Sequence, residues 1–219
     1  MAGKRILLVD DHPIVREGLA QLINGAGDLS VCGEAEDAPG ALVAFETLKP
    51  DLAIVDISLQ GVDGLELIKQ ARVRWPGLLF LALSMHGEEL YAERALRAGA
   101  RGYIMKHEAT RGVLTAIRQV LAGSLYLSPA MQARLLRRMV SEGGDVNRQP
   151  IDALSDRELA VFKLIGQGTS TREISDHLGL SVKTVESYRD HIKKKLNLRN
   201  ATHLVQYAAQ WVEHAQSDA

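Results

Sequence analysis

The chain has 219 residues but only one cysteine, Cys32, and almost no net charge. No apolar run approaches the roughly 18 residues needed to cross a bilayer, so no membrane partner is expected. A lone cysteine cannot form an internal disulfide and reads as a small packed hydrophobe in a reducing compartment; a cytoplasmic location is expected. The first five residues run straight into a strand pattern, which is not how a secretory signal begins. The catalytic patterns G-x-S-x-G, P-loop and H-E-x-x-H are missing, and Gly25-x-Gly27 lacks the third glycine of a dinucleotide fingerprint. An enzyme is therefore not expected. Asn200-Ala201-Thr202 matches a glycosylation sequon, but Asn200 is better read as a helix cap.

What is present is an ordinary folded composition, 46% hydrophobic and 24% charged, with an uneven spread of charge. Residues 1–124 carry 13 basic and 16 acidic side chains, while residues 125–219 carry 13 and 11. The basic excess concentrates at Lys183, Arg189, Lys193, Lys194, Lys195 and Arg199. Such a cluster admits two readings, a nucleic-acid contact or a solvated helix face.

Along the first 122 residues, strand-like runs alternate with helix-period segments. The runs are Arg5–Asp10, Leu29–Ala35, Leu52–Asp56, Leu78–Ser84 and Gly102–Met105; the helices fall near 13–25, 38–48, 63–74, 88–98 and 110–122. Continuous apolar strands imply burial on both faces, and repeated alternation implies a doubly wound, five-stranded parallel sheet. Ser128-Pro129 signals another helix start, with a short basic helix over Met131–Val140. Residues 141–150 are polar, hold two adjacent glycines and a proline, and read as a linker. The last segment shows only helices: a capping box Ser155-x-x-Glu158, a short helix Thr171–Leu178 closed by Gly179, a longer basic helix from Ser181 through Leu196, and a final helix capped by Asn200. Short helix, glycine turn and longer basic helix form a helix-turn-helix pattern.

Asp10-Asp11 and Asp56 end the first and third strands, Ser84 ends the fourth, and Lys106 follows the fifth. In an open α/β sheet the functional crevice lies at those carboxyl ends. Singly, each residue has a plain alternative: an Asp that caps the next helix, a surface lysine, a serine of no consequence. Together they describe an acidic pocket for a hard divalent cation, with Asp56 as acceptor of a phosphoryl group, Ser84 as a donor to its oxygens and Lys106 as a fixed positive charge.

These residues, with Tyr103 three before the lysine, make residues 4–122 resemble the receiver domain of bacterial two-component response regulators, which is flavodoxin-like. Leu83-Ser84-Met85-His86 and the run Ala98 to Lys106 resemble the NarL/FixJ subfamily. Leu154-Ser155-x-Arg157-Glu158, Glu173-Ile174-Ser175, Leu180-Ser181-x-Lys183-Thr184-Val185-Glu186 and Lys195-Leu196 resemble its LuxR-type DNA-binding domain. The implied organisation is a receiver over 4–122, a linker with a short helix over 123–150, and an all-α helix-turn-helix domain over 151–216. The resemblance implies that Asp56 takes a phosphoryl group from a sensor histidine kinase, and that Asp10, Asp11, Asp56 and the backbone carbonyl of Ser58 hold Mg²⁺. It also implies that Ser84 moves toward the phosphate and Tyr103 turns inward, against the plain reading of a half-buried tyrosine. Gln60 and His107 stand where the family often has proline.

On the Ser181–Leu196 helix, Val185, Tyr188, Ile192 and Leu196 share an inward face, and Lys183, Glu186, Ser187, Asp190 and Lys194 lie opposite. That stripe, with Thr184 and Arg189 beside it, would enter the major groove of double-stranded DNA. Lys193 and Lys195 join Lys183 and Lys194 as phosphate contacts, and the acids Glu186 and Asp190 can accept from cytosine N4. One such domain makes few contacts, so a homodimer formed on phosphorylation and reading paired half-sites is expected. Leu204, Ala208 and Trp211 share one face of the last helix, either as a dimer seam or as packing onto their own domain. A receiver-like domain controlled by contacts or a ligand is the alternative; the complete acid, serine and lysine set argues against it.

Overall fold

A computed structural model describes residues 3–59, 63–85, 87–140 and 150–217. Gln60, His86 and residues 141–149 of the expected linker lie outside the described residues. The chain divides into two units, Met1–Val140 and Ser141–Ala219.

The first unit holds strands β1 (Lys4–Val9), β2 (Leu29–Ala35), β3 (Leu52–Asp56), β4 (Leu79–Ser84) and β5 (Gly102–Met105). Helices α1 (Pro13–Asn24), α2 (Ala38–Leu48), α3 (Gly64–Arg74), α4 (Glu88–Ala98) and α5 (Lys106–Leu121) follow them in turn. All strand pairs are parallel, in the order β2-β1-β3-β4-β5. The central position of β3 explains its composition. Every residue from Leu52 to Asp56 is buried, because helices cover both faces of the sheet. One side of the core is filled by Ile6, Leu8, Ile54, Leu81, Leu83 and Ile104 against Val113, Ile117 and Val120 of α5.

Two expectations change. Helix α5 begins at Lys106, not near residue 110, so the sheet passes into it without a connecting loop. Met105, with extended backbone, is the cap from which the helix starts. The helix expected inside the linker, α6 (Pro129–Val140), packs against α4 and belongs to the first unit.

The second unit consists of a 3₁₀ turn at Pro150–Ala153 followed by α7 (Asp156–Gly166), α8 (Thr171–Leu178), α9 (Val182–Lys195) and α10 (Ala201–Ser217). Ser155 and Ser170 both form full capping boxes, with Glu158 and Glu173 reaching back to the cap backbone. Gly179 closes α8 at φ 63°, a left-handed position that favours glycine. The core is aromatic. Phe162 of α7 meets Tyr207 and Trp211 of α10 at ring-centre distances of 5.9 and 5.8 Å.

Helix α7 can lie this close to α10 only because of Gly166. A Cβ there would stand 2.4 Å from the Ala208 carbonyl oxygen and 2.6 Å from Val212 Cγ2. Gly166→Ala is therefore expected to destabilise the second unit by about 1–3 kcal/mol, read as an earlier urea midpoint in the full chain. An unchanged midpoint would show that the α7–α10 contact gives way freely.

Candidate functional site

Lys106 Nζ sits between two buried carboxylates. It donates to Asp56 Oδ2 at 2.7 Å and lies 2.8 Å from Asp10 Oδ2. Asp10 directly follows β1 and Asp56 ends β3, and the parallel register of these neighbouring strands brings both to one end of the sheet. The second oxygen of Asp56 accepts the Ser58 backbone N–H at 3.0 Å. Asp10 Oδ1 accepts the His12 backbone N–H at 2.8 Å, which turns the chain from β1 into α1.

Asp11 is also present, with His12 Nδ1 at 2.6 Å from its Oδ1. One ligand atom from each of Asp10, Asp11, His12 and Asp56 lies within 4.8 Å of the others. Asp10 Oδ2 and Asp11 Oδ1 are both buried, the first facing the Lys106 ammonium at 2.8 Å and the second the His12 ring at 2.6 Å. Clustered carboxylate oxygens are the ligands a hard divalent cation takes, and the cluster could hold a metal.

The electrostatics are opposed. Burial pushes the Asp56 carboxyl above its usual value, helped by the charge of Asp10 and resisted by Lys106. Burial pulls the Lys106 ammonium down, but the Asp56 charge and the hydrogen bonds to both acids outweigh it, so it sits above its usual value. Ser84 and Tyr103 complete the site. Both are buried, and the Tyr103 hydroxyl is hydrogen-bonded to Ser84. Tyr103 is 1% exposed and already inward, which corrects the half-buried reading. Burial pushes its phenol well above the usual value.

Two residues here escaped the sequence reading. His12 has its ring against both Asp10 and Asp11. The Arg16 guanidinium donates to the Asp10 carbonyl and pairs with Glu34, clasping the turn after β1. The spacing of His12 and Arg16 on the start of α1 was the available signal.

In the second unit, the α8–Gly179–α9 arrangement presents Lys183, Glu186, Ser187, Asp190 and Lys194 outward. Thr184, Arg189 and Lys193 are half-buried at the edge of that face. The Thr184 hydroxyl pairs with the cap Ser181 at 2.7 Å, and Asp190 pairs with Lys193 at 2.8 Å. Val185, Ile192 and Leu196 face the core. Lys195, expected to meet a phosphate, takes a partner within its own unit. Its Nζ donates to Glu158 Oε2 at 2.6 Å, and that same oxygen accepts the Ser155 N–H at 2.7 Å. The buried Glu158 thus ties the start of α7 to the end of α9. Leu204 and Ala208 are wholly buried in their own unit, and the half-buried Trp211 packs on Phe162, so this face of α10 packs largely onto its own domain. The 3.6-residue period marked an apolar face of α10 without saying what covers it.

The comparisons agree with this geometry. Residues 6–118 match the model of the response regulator receiver domain, and residues 152–208 that of the luxR family of bacterial regulatory proteins. The chain belongs to the NarL/FixJ family of two-component response regulators. Among similar curated proteins, the oxygen regulatory protein NreC of Staphylococcus carnosus is 36% identical over 208 residues, covering 93% of this regulator and 96% of NreC. The response regulator GacA of Pseudomonas viridiflava is 34% identical, covering 98% of each chain. A solved structure of RcsB from Salmonella enterica serovar Typhimurium, bound to promoter rprA in the presence of the phosphomimetic BeF₃⁻, aligns with TM-score 0.62 and 25% identity, covering 94% of this regulator and 98% of RcsB. The regulator is accordingly a two-component transcription regulator with a receiver domain and a LuxR-type helix-turn-helix domain.

The Glu158 tie makes a pH prediction. Although burial raises it, hydrogen bonds from Lys195 and Ser155 hold the Glu158 carboxyl below its usual 4.5. Its stabilisation is then complete above the unfolded value and is lost as pH falls through the lower folded value. Glu158→Gln should cost about 1–2 kcal/mol in urea unfolding at neutral pH, with the gap to wild type closing below pH 4.5. A gap that persists unchanged into acid would assign the loss to packing instead.

Proposed function

We propose that Asp56 accepts a phosphoryl group from a sensor histidine kinase, and that the phosphorylated regulator, as a homodimer in the cytoplasm, binds paired operator half-sites through α9. The observation that carries this reading is the buried Asp56 carboxylate bonded to Lys106 and flanked by Asp10 and Asp11. In the transfer, one Asp56 oxygen bonds to phosphorus as the P–N bond of a phosphohistidine breaks. The electron pair of that bond returns to the donor imidazole.

Asp10, Asp11, Asp56 and the Ser58 carbonyl would hold Mg²⁺, which supplies charge neutralisation for the phosphoryl oxygens. Lys106 contributes the same from the protein side. It keeps contact with the pocket throughout, because its ammonium already lies between two strand ends. Ser84 donates its hydroxyl to a phosphoryl oxygen, and Tyr103 follows Ser84 as the switch aromatic. On α9, Lys183, Thr184, Glu186, Ser187, Arg189, Asp190, Lys193 and Lys194 face the groove or its phosphates. A dimer built on α10 would use its outer stripe, where Val205 is exposed.

Incubation with a small phosphodonor and Mg²⁺ tests the first half. A mass increase of one phosphoryl group is expected in wild type and none in Asp56→Asn; no increase in wild type would favour a receiver governed by contacts alone. The second half predicts that Glu186→Lys raises affinity for random duplex, since an acid on the groove face repels phosphates. Unchanged random-sequence binding, measured by fluorescence anisotropy against salt, would remove Glu186 from that face.

A further inference from the structure

The segment that leaves α5, residues 123–132, is bonded into the switch side of the sheet. Tyr126 forms a parallel bridge with Gly102 on the open edge of β5. Its N–H donates to the Arg101 carbonyl and its carbonyl accepts the Tyr103 N–H, each at 3.0 Å. Two residues on, the Ser128 N–H donates to Glu88 Oε1 at 2.8 Å, in the first turn of α4. Arg134 pairs with the neighbouring Glu89 at 3.4 Å. Within the segment, Leu127 and Met131 are buried.

Two glycines stand where this segment comes close. A Cβ on Gly102 would lie 2.9 Å from Leu81 Cδ1 and 3.0 Å from both Tyr126 Cβ and its carbonyl oxygen, and one on Gly112 would lie 2.9 Å from the Tyr126 hydroxyl. Gly112 stands inside α5, where glycine costs up to about 1 kcal/mol against alanine. The contact is therefore built into the sequence of β5 and α5, and is not a chance resting place for the chain.

We propose that residues 124–132 act as a strap docked on β5 and α4, and that phosphoryl occupancy of the pocket tightens it. The coupling rests on the reading of Asp56 as phosphoacceptor. Its path is short. A serine hydroxyl can accept from one group while donating to another. With the Tyr103 phenol as donor to Ser84, the Ser84 hydroxyl can donate to a phosphoryl oxygen, and the phosphate then holds Tyr103 inward. The strap is hydrogen-bonded to the backbone of that same Tyr103, and to α4 immediately after the loop that follows Ser84. Inward Tyr103 and docked strap occur together in this structure. The strap continues into α6, so its docking decides whether residues 124–140 behave as part of the receiver.

Reciprocity gives the test, because what strengthens the strap must strengthen the pocket by the same factor. In the full chain with Mg²⁺, beryllofluoride serves as the phosphoryl probe, with fluorine NMR reporting its binding. Saturation is expected to slow amide exchange over residues 123–132 roughly tenfold, and Tyr126→Ala to weaken beryllofluoride binding by a similar factor. A bound fluorine signal with unchanged or faster strap exchange, or with unchanged affinity in Tyr126→Ala, overturns the coupling while leaving the phosphoacceptor reading intact. No bound signal in wild type overturns both. Glu88→Gln, which weakens the strap's anchor on α4, is expected to shift both readouts in the same direction as Tyr126→Ala.

Discussion

The receiver is organised around a lysine ammonium wedged between Asp10 and Asp56. Two carboxylates buried at the end of a parallel sheet repel each other and have lost most of their water. Leaving such a charge buried without a partner costs about 3–5 kcal/mol. Lys106 meets that demand from the first residue of α5, and it can do so only because β5 runs into the helix with no loop. The sheet order, the chain reversal at His12 and the early start of α5 are all needed to bring one ammonium to two acids. The carboxylate oxygens that Asp10, Asp11 and Asp56 bring together are what a cation would complete.

The same logic recurs in the second unit at smaller scale. Glu158 is buried at the start of α7, and its carboxylate gathers the Ser155 N–H and the Lys195 ammonium. That contact fixes the far end of α9, while the Ser181 cap fixes its beginning. A helix that presents polar groups to a groove needs its orientation set from inside the domain, because the groove-facing residues cannot both pack and read. Lys195 therefore serves α9 by holding it, while Lys183 and Lys194 stay outward.

Much was legible beforehand, and the reasons are local. Apolar runs four to six residues long, each ended by a polar residue, mark buried parallel strands, so Asp10, Asp56 and Ser84 announced the pocket by position alone. A serine cap followed three residues later by glutamate marked α7, and the closing Gly179 marked the end of α8. The failures share a cause as well. Period and spacing show that Leu204, Ala208 and Trp211 lie on one face, but the α7 residues that meet this face, Phe162 against Trp211 and Gly166 against Ala208, are some forty residues away in the chain. Likewise Tyr126 looked like linker, because its partners Gly102, Tyr103 and Gly112 lie on separate elements.

By itself the sequence determined the parallel α/β receiver, the helix-turn-helix unit, and the set of acids, serine and lysine that defines the pocket. These follow from short-range rules of burial, capping and strand-end placement, which need only neighbours in the chain. The tertiary structure alone decided which partner each group takes: Lys106 shared between two acids, Tyr103 turned to Ser84, Lys195 withdrawn to Glu158, and Tyr126 laid along β5. Those pairings depend on distances between elements far apart in sequence, and only packing sets such distances.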